Sequence, residues 1–387
     1  MKVNLLLLLG ISTIVAAPLH GVTNPVGSGG LIEALSNAPI CPRHSHSAVA
    51  IGNKMIIWGG ICFYDGKGKP TTETKLKYNS RVESSGAIFD IDTQKWTDLP
   101  QSEETILTPR SGHSAIAIGS KMFVFGGQGS RQLNDGAVFD LATGQWSPLP
   151  ESPLKSRQNH SAVAFGSEMI VWGGDGSDSY LPNNPGAIFD LTTNQWTLLP
   201  SLGKTVHDPK TLNKYSTDYF AQRKQHSAAV LRKEMFVYGG QGMGLDLGNL
   251  DPKSPDLLSF NLVDSEWKRV GDGPKGGPTM AQTMVKYGNK LIVFGGQEKG
   301  QLGPAINRAF SYSPETNIWS SLDSTNAPSA RSFHTAVVVG DNMVVWGGYN
   351  GEATFHSDGY GSGYVSGAGI LQSSAGVLNL SVMKWQK

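Results

Sequence analysis

The sequence predicts an all-β protein in which six four-stranded sheets repeat around a ring. Three observations predict it: a composition rich in turn-formers, a motif that recurs along the chain, and the regular placement of tryptophan after that motif. Of 387 residues, 48 are Gly and 21 are Pro, while 16% are charged. So much turn chemistry with so little charge fits many short strands. The formal net charge of +1 offers no bulk electrostatic attraction to nucleic acid or to a membrane surface.

An apolar run ending in a glycine pair occurs six times: Met55-Ile-Ile-Trp-Gly59-Gly60, Met122-Phe-Val-Phe-Gly126-Gly127, Met169-Ile-Val-Trp-Gly173-Gly174, Met235-Phe-Val-Tyr-Gly239-Gly240, Leu291-Ile-Val-Phe-Gly295-Gly296 and Met343-Val-Val-Trp-Gly347-Gly348. A tryptophan follows each pair, at Trp96, Trp146, Trp196, Trp267, Trp319 and Trp385. A short apolar strand precedes each tryptophan, clearest in Ala87-Ile-Phe-Asp90, and another precedes each glycine run, as in His46-Ser-Ala-Val-Ala-Ile51. One unit therefore reads as strands a, b, c and d joined by turns. A sheet of four short strands cannot bury both its faces alone, and radial stacking of six gives each a neighbour on either side. The glycine pair permits close backbone approach, and the tryptophan buries a large area between sheets.

Five units also carry Arg-x-x-His ahead of strand a: Arg43/His46, Arg110/His113, Arg157/His160, Arg223/His226 and Arg331/His334. These motifs together resemble the kelch repeat over residues 43 to 387, and the resemblance implies a six-bladed kelch β-propeller. The expected blades are 43–100, 109–150, 157–200, 223–270, 278–322 and 330–387. The sequence departs from its own pattern in the fifth unit, where Thr279 and Gln282 stand in place of Arg and His. It departs from many kelch propellers in closure: each blade is whole in sequence, so no blade is shared between the chain ends. Residues 22–40 show no strand d. Closure is expected from packing of blades one and six, or from an edge strand hidden in 22–40.

The N-terminus reads as a secretory leader. Lys2 precedes the apolar run Leu5 to Ala17, which suits a signal peptide over residues 1–17 and is shorter than the roughly 20 residues of a membrane span. Residues 18–42 then form an N-terminal extension, and the mature chain is expected to be secreted or periplasmic. The two cysteines, Cys41 and Cys62, flank a hairpin turning at Gly52-Asn53. Reflection about that turn sets residue 62 opposite residue 43, so a Cys41–Cys62 disulfide is expected, in keeping with export.

Chain direction sorts the loops. If strand a runs down from a top face, the a–b and c–d turns lie at the bottom and are short. The b–c and d–a connections lie at the top and are long: 61–85, 201–222, 241–256, 297–307 and 349–374. Long loops on a rigid scaffold are where binding resides. Two roles are open for Arg43, Arg110, Arg157, Arg223 and Arg331 at the top. They form a partial ring that receives a carboxylate or sugar acid through two-point contacts, or they are scaffold that bonds backbone or acids of the neighbouring blade. Their recurrence in five units favours scaffold. Tyr180, His356 and Tyr360 in the top loops are further candidates, since aromatics beside hydroxyls and carboxylates bind sugars by stacking and hydrogen bonding, although such residues also furnish ordinary Gly-rich loops. Asn159-His-Ser161 and Asn379-Leu-Ser381 match glycosylation sequons.

No nucleophile elbow, Walker loop, dinucleotide fingerprint or zinc signature occurs in the sequence. The histidines are spread around a ring rather than converging as a metal site requires, so no metal or cofactor is expected. The leading expectation is a non-catalytic, monomeric module that binds a protein or glycan on its long-loop face, with no nucleic acid partner and no stable membrane insertion. The alternative is a sugar-acid mutarotase, as in the exported six-bladed kelch sialic acid mutarotases, whose reaction needs an acid/base pair and a carboxylate-binding Arg.

Overall fold

The computed structural model describes residues 28–65, 67–72, 79–176, 186–199, 205–207, 214–216, 223–242, 256–298, 303–351, 354–357, 363–366 and 370–387. Six four-stranded antiparallel sheets, each ordered a-b-c-d, make up the body of the molecule. In the first, strand a (Ser47–Ile51) pairs with b (Lys54–Trp58), b with c (Gly86–Asp90) and c with d (Lys95–Asp98). The sixth repeats the order with Thr335–Val339, Asn342–Trp346, Ala375–Asn379 and Lys384–Trp385. Strand a of each blade lies beside strand a of the next, and the sixth returns to the first. The protein is thus a closed six-bladed β-propeller.

The apolar runs form strand b because that strand is buried on both faces. In the first blade Met55, Ile56, Ile57 and Trp58 are each at most 1% exposed. Alternation, the usual sign of a half-buried strand, is lost there for that reason. Each strand-d tryptophan crosses a seam to the last aromatic of strand b in the preceding blade. Trp146 meets Trp58 at 5.8 Å, Trp196 meets Phe125 at 5.2 Å, and Trp267 meets Trp172 at 4.9 Å. Trp319 meets Tyr238 at 5.3 Å, Trp385 meets Phe294 at 4.8 Å, and Trp96 closes the circle on Trp346 at 6.4 Å. Such tilted pairs add to the area they bury.

The glycine pairs are held in conformations that a side chain would not tolerate. At Gly60, φ is 93°, and a Cβ there would lie 2.8 Å from the His44 carbonyl oxygen. That space is used: the Gly60 amide donates across the seam to the Arg110 carbonyl at 2.9 Å.

Residues Ser28–Ser36 form a helix, α1, and not an edge strand. It wedges between blades six and one, with Leu31, Ile32, Ala34 and Leu35 packed on Met55, Ile57 and Phe89 of one and Val344, Trp346 and Val377 of the other. Its apolar residues at positions i, i+1 and i+4 share one helical face. Trp96 Nε1 donates to the Ala34 carbonyl at 2.8 Å and Trp346 Nε1 to that of Leu35 at 3.2 Å. The Ala375 amide donates to Ser36 Oγ at 3.2 Å. Between α1 and the first blade, Cys41 and Cys62 form a disulfide with a Cα–Cα distance of 6.2 Å. No helix among the described residues is long and apolar enough to cross a membrane.

Candidate functional site

The top of the axis is built by the residues just before strand a. Ser45, Gly112, Asn159, Gln225, Ala281 and Phe333, one per blade, all have φ between 53° and 62°. This left-handed turn aims each amide at the neighbouring blade. The result is a cycle: Gly112 donates to the Ser45 carbonyl, Asn159 to Gly112, Gln225 to Asn159, Ala281 to Gln225, Phe333 to Ala281 and Ser45 to Phe333, at 2.8–3.1 Å. Outside it runs a second cycle. The latter glycine of every pair donates to the carbonyl of the residue at the Arg position of the next blade, at 2.7–2.9 Å.

The histidines make a third cycle. His113 Nε2 meets Ser47 Oγ at 2.9 Å, His160 meets Ser114 at 2.9 Å, and His226 meets Ser161 at 2.9 Å. His334 meets Thr283 at 3.0 Å and His46 meets Thr335 at 2.8 Å. In the fifth blade Gln282 Nε2 takes the same place, donating to Ser227 Oγ at 3.2 Å and to the Tyr238 carbonyl at 2.8 Å. Burial, and secondarily the nearby Arg of the same blade, pushes the pKa of His113, His226 and His334 down to about 3. His46 and His160 fall well below the usual imidazole value for the same first reason. The ring is neutral at physiological pH.

The arginine ring open to an anionic ligand is corrected by the structure. Arg43, Arg110, Arg157 and Arg331 are 0% exposed, and Arg223 is half-buried. Each Nη1 donates to the carbonyl of the first glycine of its own pair, 16 residues on, at 2.8–3.1 Å. Arg331 adds the Ser374 and Ser329 carbonyls and both serine hydroxyls, at 2.9–3.1 Å. Arg110 adds Asp135 at 2.8 Å. Burial lowers Arg43, Arg157 and Arg331 to about 10, so they stay charged at neutral pH. These bonds tie strand ends together inside the blades, and none of the five arginines lines the cavity on the axis.

A cavity of about 160 Å³ sits on the axis within these cycles, lined by the six left-handed residues and the His/Gln ring. The rim around it has two characters. On the side of blades six and one, His44 lies 5.8 Å from Phe63, 6.2 Å from Phe333 and 6.2 Å from Tyr349, with Leu371 packed beneath. On the side of blades three and four, Lys224 pairs with Asp175 at 3.2 Å, and Asn159 Nδ2 donates to Asp175 at 3.5 Å. Gln225 lines the cavity there, and its Oε1 is buried with no hydrogen-bond partner.

Tyr180 and Tyr360 lie outside the described residues, as does the side chain of His356, whose backbone pairs with Tyr364 in a two-stranded ribbon. Of residues able to hold a metal, the described part of the chain brings Cys41, Cys62 and Glu83 within 4.8 Å of one another, and both cysteines are engaged in the disulfide. The two sequons differ in setting. Asn159 lies in the axial cycle, whereas Asn379 starts an exposed turn, where its Oδ1 accepts from Ser381 Oγ at 2.7 Å. Sequence reasoning missed the residues that border the mouth, six of which sit one place before the His or Gln of each blade, with His44 and Lys224 two places before. The signal available was contrast: Arg and His recur, while the residue before the His, or before Gln282 in the fifth unit, is Ser, Gly, Asn, Gln, Ala or Phe.

A closed ring of six kelch-type blades, with an axial mouth bordered by non-repeating side chains, defines a propeller scaffold. Residues 45–213 and 225–386 match the model of the KLHDC2/KLHL20/DRC7 Kelch-repeats domain. The chain belongs to the kelch-repeat family. It is similar to the leucine-zipper-like transcriptional regulator 1 homolog of Drosophila melanogaster, 26% identical over 327 residues that cover 81% of this chain and 25% of that protein. It is also similar to Kelch domain-containing protein 3 of Bos taurus, 29% identical over 277 residues, 68% of this chain and 64% of the relative. Host cell factor 2 of Homo sapiens matches at 33% over 101 residues, 25% of this chain and 12% of that protein. The chain thus spans about a quarter or less of two of these relatives and just under two thirds of the third.

Proposed function

We propose that this protein is an exported, non-catalytic binding module that takes a segment of a partner protein across its axial mouth. One observation carries the reading. Around a single mouth, three repeated hydrogen-bond cycles hold the backbone fixed while the six residues that border it all differ: Ser45, Gly112, Asn159, Gln225, Ala281 and Phe333. A scaffold that repeats its backbone bonds while varying the side chains at its opening is suited to specific recognition. An aromatic side and a polar side match a peptide, which carries apolar side chains and backbone amides together. The mutarotase reading loses support, because it needs a carboxylate-binding Arg and the repeat arginines are engaged with backbone. Export rests on the leader at 1–17 and on the disulfide, and mass analysis of the mature chain tests it.

The test is selection from a peptide library on the immobilised protein. Binding of the selected peptides should weaken at least ten-fold in the Phe333→Ala, Lys224→Ala double variant. It should be unchanged by Arg232→Ala on the opposite face, where Arg232 is exposed. Peptides that bind both variants as well as the parent, or a glycan array that gives the only signal, would overturn the reading.

A further inference from the structure

Five of the six seams are spanned by the chain itself, which leaves strand d of one blade and enters strand a of the next. The linker also serves the seam. Trp146 Nε1 donates to the Pro100 carbonyl at 2.7 Å, Trp196 to Pro150 at 3.2 Å and Trp319 to Asp272 at 3.1 Å. Each acceptor belongs to the end of the preceding blade or to its linker. The seam between blades six and one has the same inner bonds: Ser45 to Phe333 at 3.0 Å, Gly348 to Arg43 at 2.9 Å, and His46 with Thr335 at 2.8 Å. Its outer half is different. The chain does not run from the sixth blade into the first, and α1 stands where a linker would, offering the Ala34 carbonyl to Trp96. α1 is joined by sequence to blade one alone. It holds blade six through packing, the Trp346 indole and the Ala375 amide.

We propose that this seam is a redox-set latch, with α1 as the bolt and the Cys41–Cys62 disulfide as the lock. The bond fixes residue 41, five residues beyond the end of α1, to the strand that follows the glycine pair of blade one. It also seats Arg43, whose Nε donates to the Cys41 carbonyl at 3.1 Å and whose Nη2 lies 3.3 Å from Cys41 Sγ. Arg43 in turn holds the Gly59 carbonyl, and its own carbonyl receives the Gly348 amide of blade six. One covalent bond therefore steadies both the root of α1 and an inner contact of the same seam. The aromatic side of the mouth straddles that seam, with His44 and Phe63 from blade one and Phe333, Tyr349 and Leu371 from blade six.

A dithiol reductant opens the bond. Its first thiolate attacks Cys41 Sγ, the more exposed sulfur, since Cys62 is 0% exposed. A mixed disulfide forms and Cys62 leaves as a thiolate. The second thiol of the reductant then closes its own cyclic disulfide and releases the Cys41 thiolate. Both thiolates take protons from water, and two electrons have passed from reductant to protein. Residue 41 is then free, α1 gains slack at its root, and the seam loosens where no linker holds it. In an oxidising compartment the lock sets once, so the mouth takes its final shape on export.

Hydrogen exchange on the full chain, oxidised and after dithiothreitol, tests the latch without any variant. Amides in Lys54–Trp58, Gly86–Asp90, Asn342–Trp346 and Ala375–Asn379 should exchange at least ten-fold faster after reduction, while those in Glu168–Trp172 and Glu234–Tyr238 keep their rates. Leu35→Asp, with the disulfide intact, should reproduce the same pattern by displacing the bolt. Reduction that leaves all six blades unchanged, or that accelerates all six alike, overturns the proposal. The readout is independent of ligand, so failure of the binding reading leaves it standing.

Discussion

Blade five and the other five blades have the same strands in the same order, yet they meet the motif position differently. Elsewhere an Arg, fully buried in four blades and half-buried in blade four, holds the first glycine carbonyl, and a buried His reaches the hydroxyl of the blade before. In blade five the Thr279 hydroxyl donates to the Gln297 carbonyl at 3.1 Å, while Gln282 reproduces the histidine bond at 3.2 Å. The difference separates two requirements that the sequence motif joins. The cross-blade bond to Ser or Thr is kept in all six blades and needs only a nitrogen donor or acceptor at a fixed reach. The guanidinium network is dispensable in one blade, where the smaller Thr279 occupies the Arg position.

The largest effect should come from removing the Arg where the structure has been built around it. Arg331→Ala leaves the Gly347 and Ser374 carbonyls without their donor in a site of 0% exposure. Each buried orphaned group costs on the order of 1–3 kcal/mol, so the loss should exceed about 3 kcal/mol. Thr279→Ala, the equivalent change in blade five, should cost about 1 kcal/mol or less. Urea unfolding of both variants measures the gap. Equal losses would mean that the arginines are not the scaffold described here. Arg331→Lys should recover little, since an ammonium cannot reach carbonyls on two sides of a planar fork.

The spacing that reveals this role was open to reading. Arg43 to Gly59, Arg110 to Gly126, Arg157 to Gly173, Arg223 to Gly239 and Arg331 to Gly347 are each 16 residues apart. A constant interval between two motif residues points to a bond between them, whereas a ligand ring does not need it. The propeller itself was legible because glycine pairs and tryptophans answer local demands, close approach and seam filling, that recur in every blade. α1 was not. Ser28–Ser36 carries two glycines and no acidic residue in its first turn, so propensity is weak, and the helix forms because Leu31, Ile32 and Leu35 find the open side of two blades. The rim residues were hidden for the opposite reason: a search for repeats discards the positions that vary, and the chemistry of the mouth resides there.

Acid should expose the next difference. His113, His226 and His334 have folded pKa values of about 3 because burial disfavours the imidazolium. Unfolded histidine titrates near 6.5. Between these values the unfolded chain binds more protons than the folded one, so stability falls as pH drops from about 6.5 towards 3 and is level with respect to these groups above that window. At pH 4.5 each of the three should cost roughly 2–3 kcal/mol relative to neutral pH. Blade five contributes nothing, because Gln282 does not titrate. His113→Gln should therefore reduce the slope of unfolding free energy against pH by one proton over that window. An unchanged slope would show that His113 is protonated within the fold.

At neutral pH the same substitution tests the comparison most finely. Gln282 Nε2 stands where the histidine Nε2 stands, and it serves both the hydroxyl of the preceding blade and the carbonyl of Tyr238. A glutamine at 113 should likewise reach Ser47 Oγ and the Trp58 carbonyl. It gives up the edge-on contact with Trp58, whose ring centre lies 5.0 Å from the imidazole. Such contacts are worth about 0.5–1.5 kcal/mol, so His113→Gln should cost about 1 kcal/mol. His113→Ala, which leaves a void and removes the bond across the seam to the Ser47 hydroxyl, should cost about 2–4 kcal/mol. Thermal and urea unfolding at pH 7.5 separate the two. A glutamine variant as damaged as the alanine variant would mean that the imidazole ring, and not the bond it carries, is what five blades require.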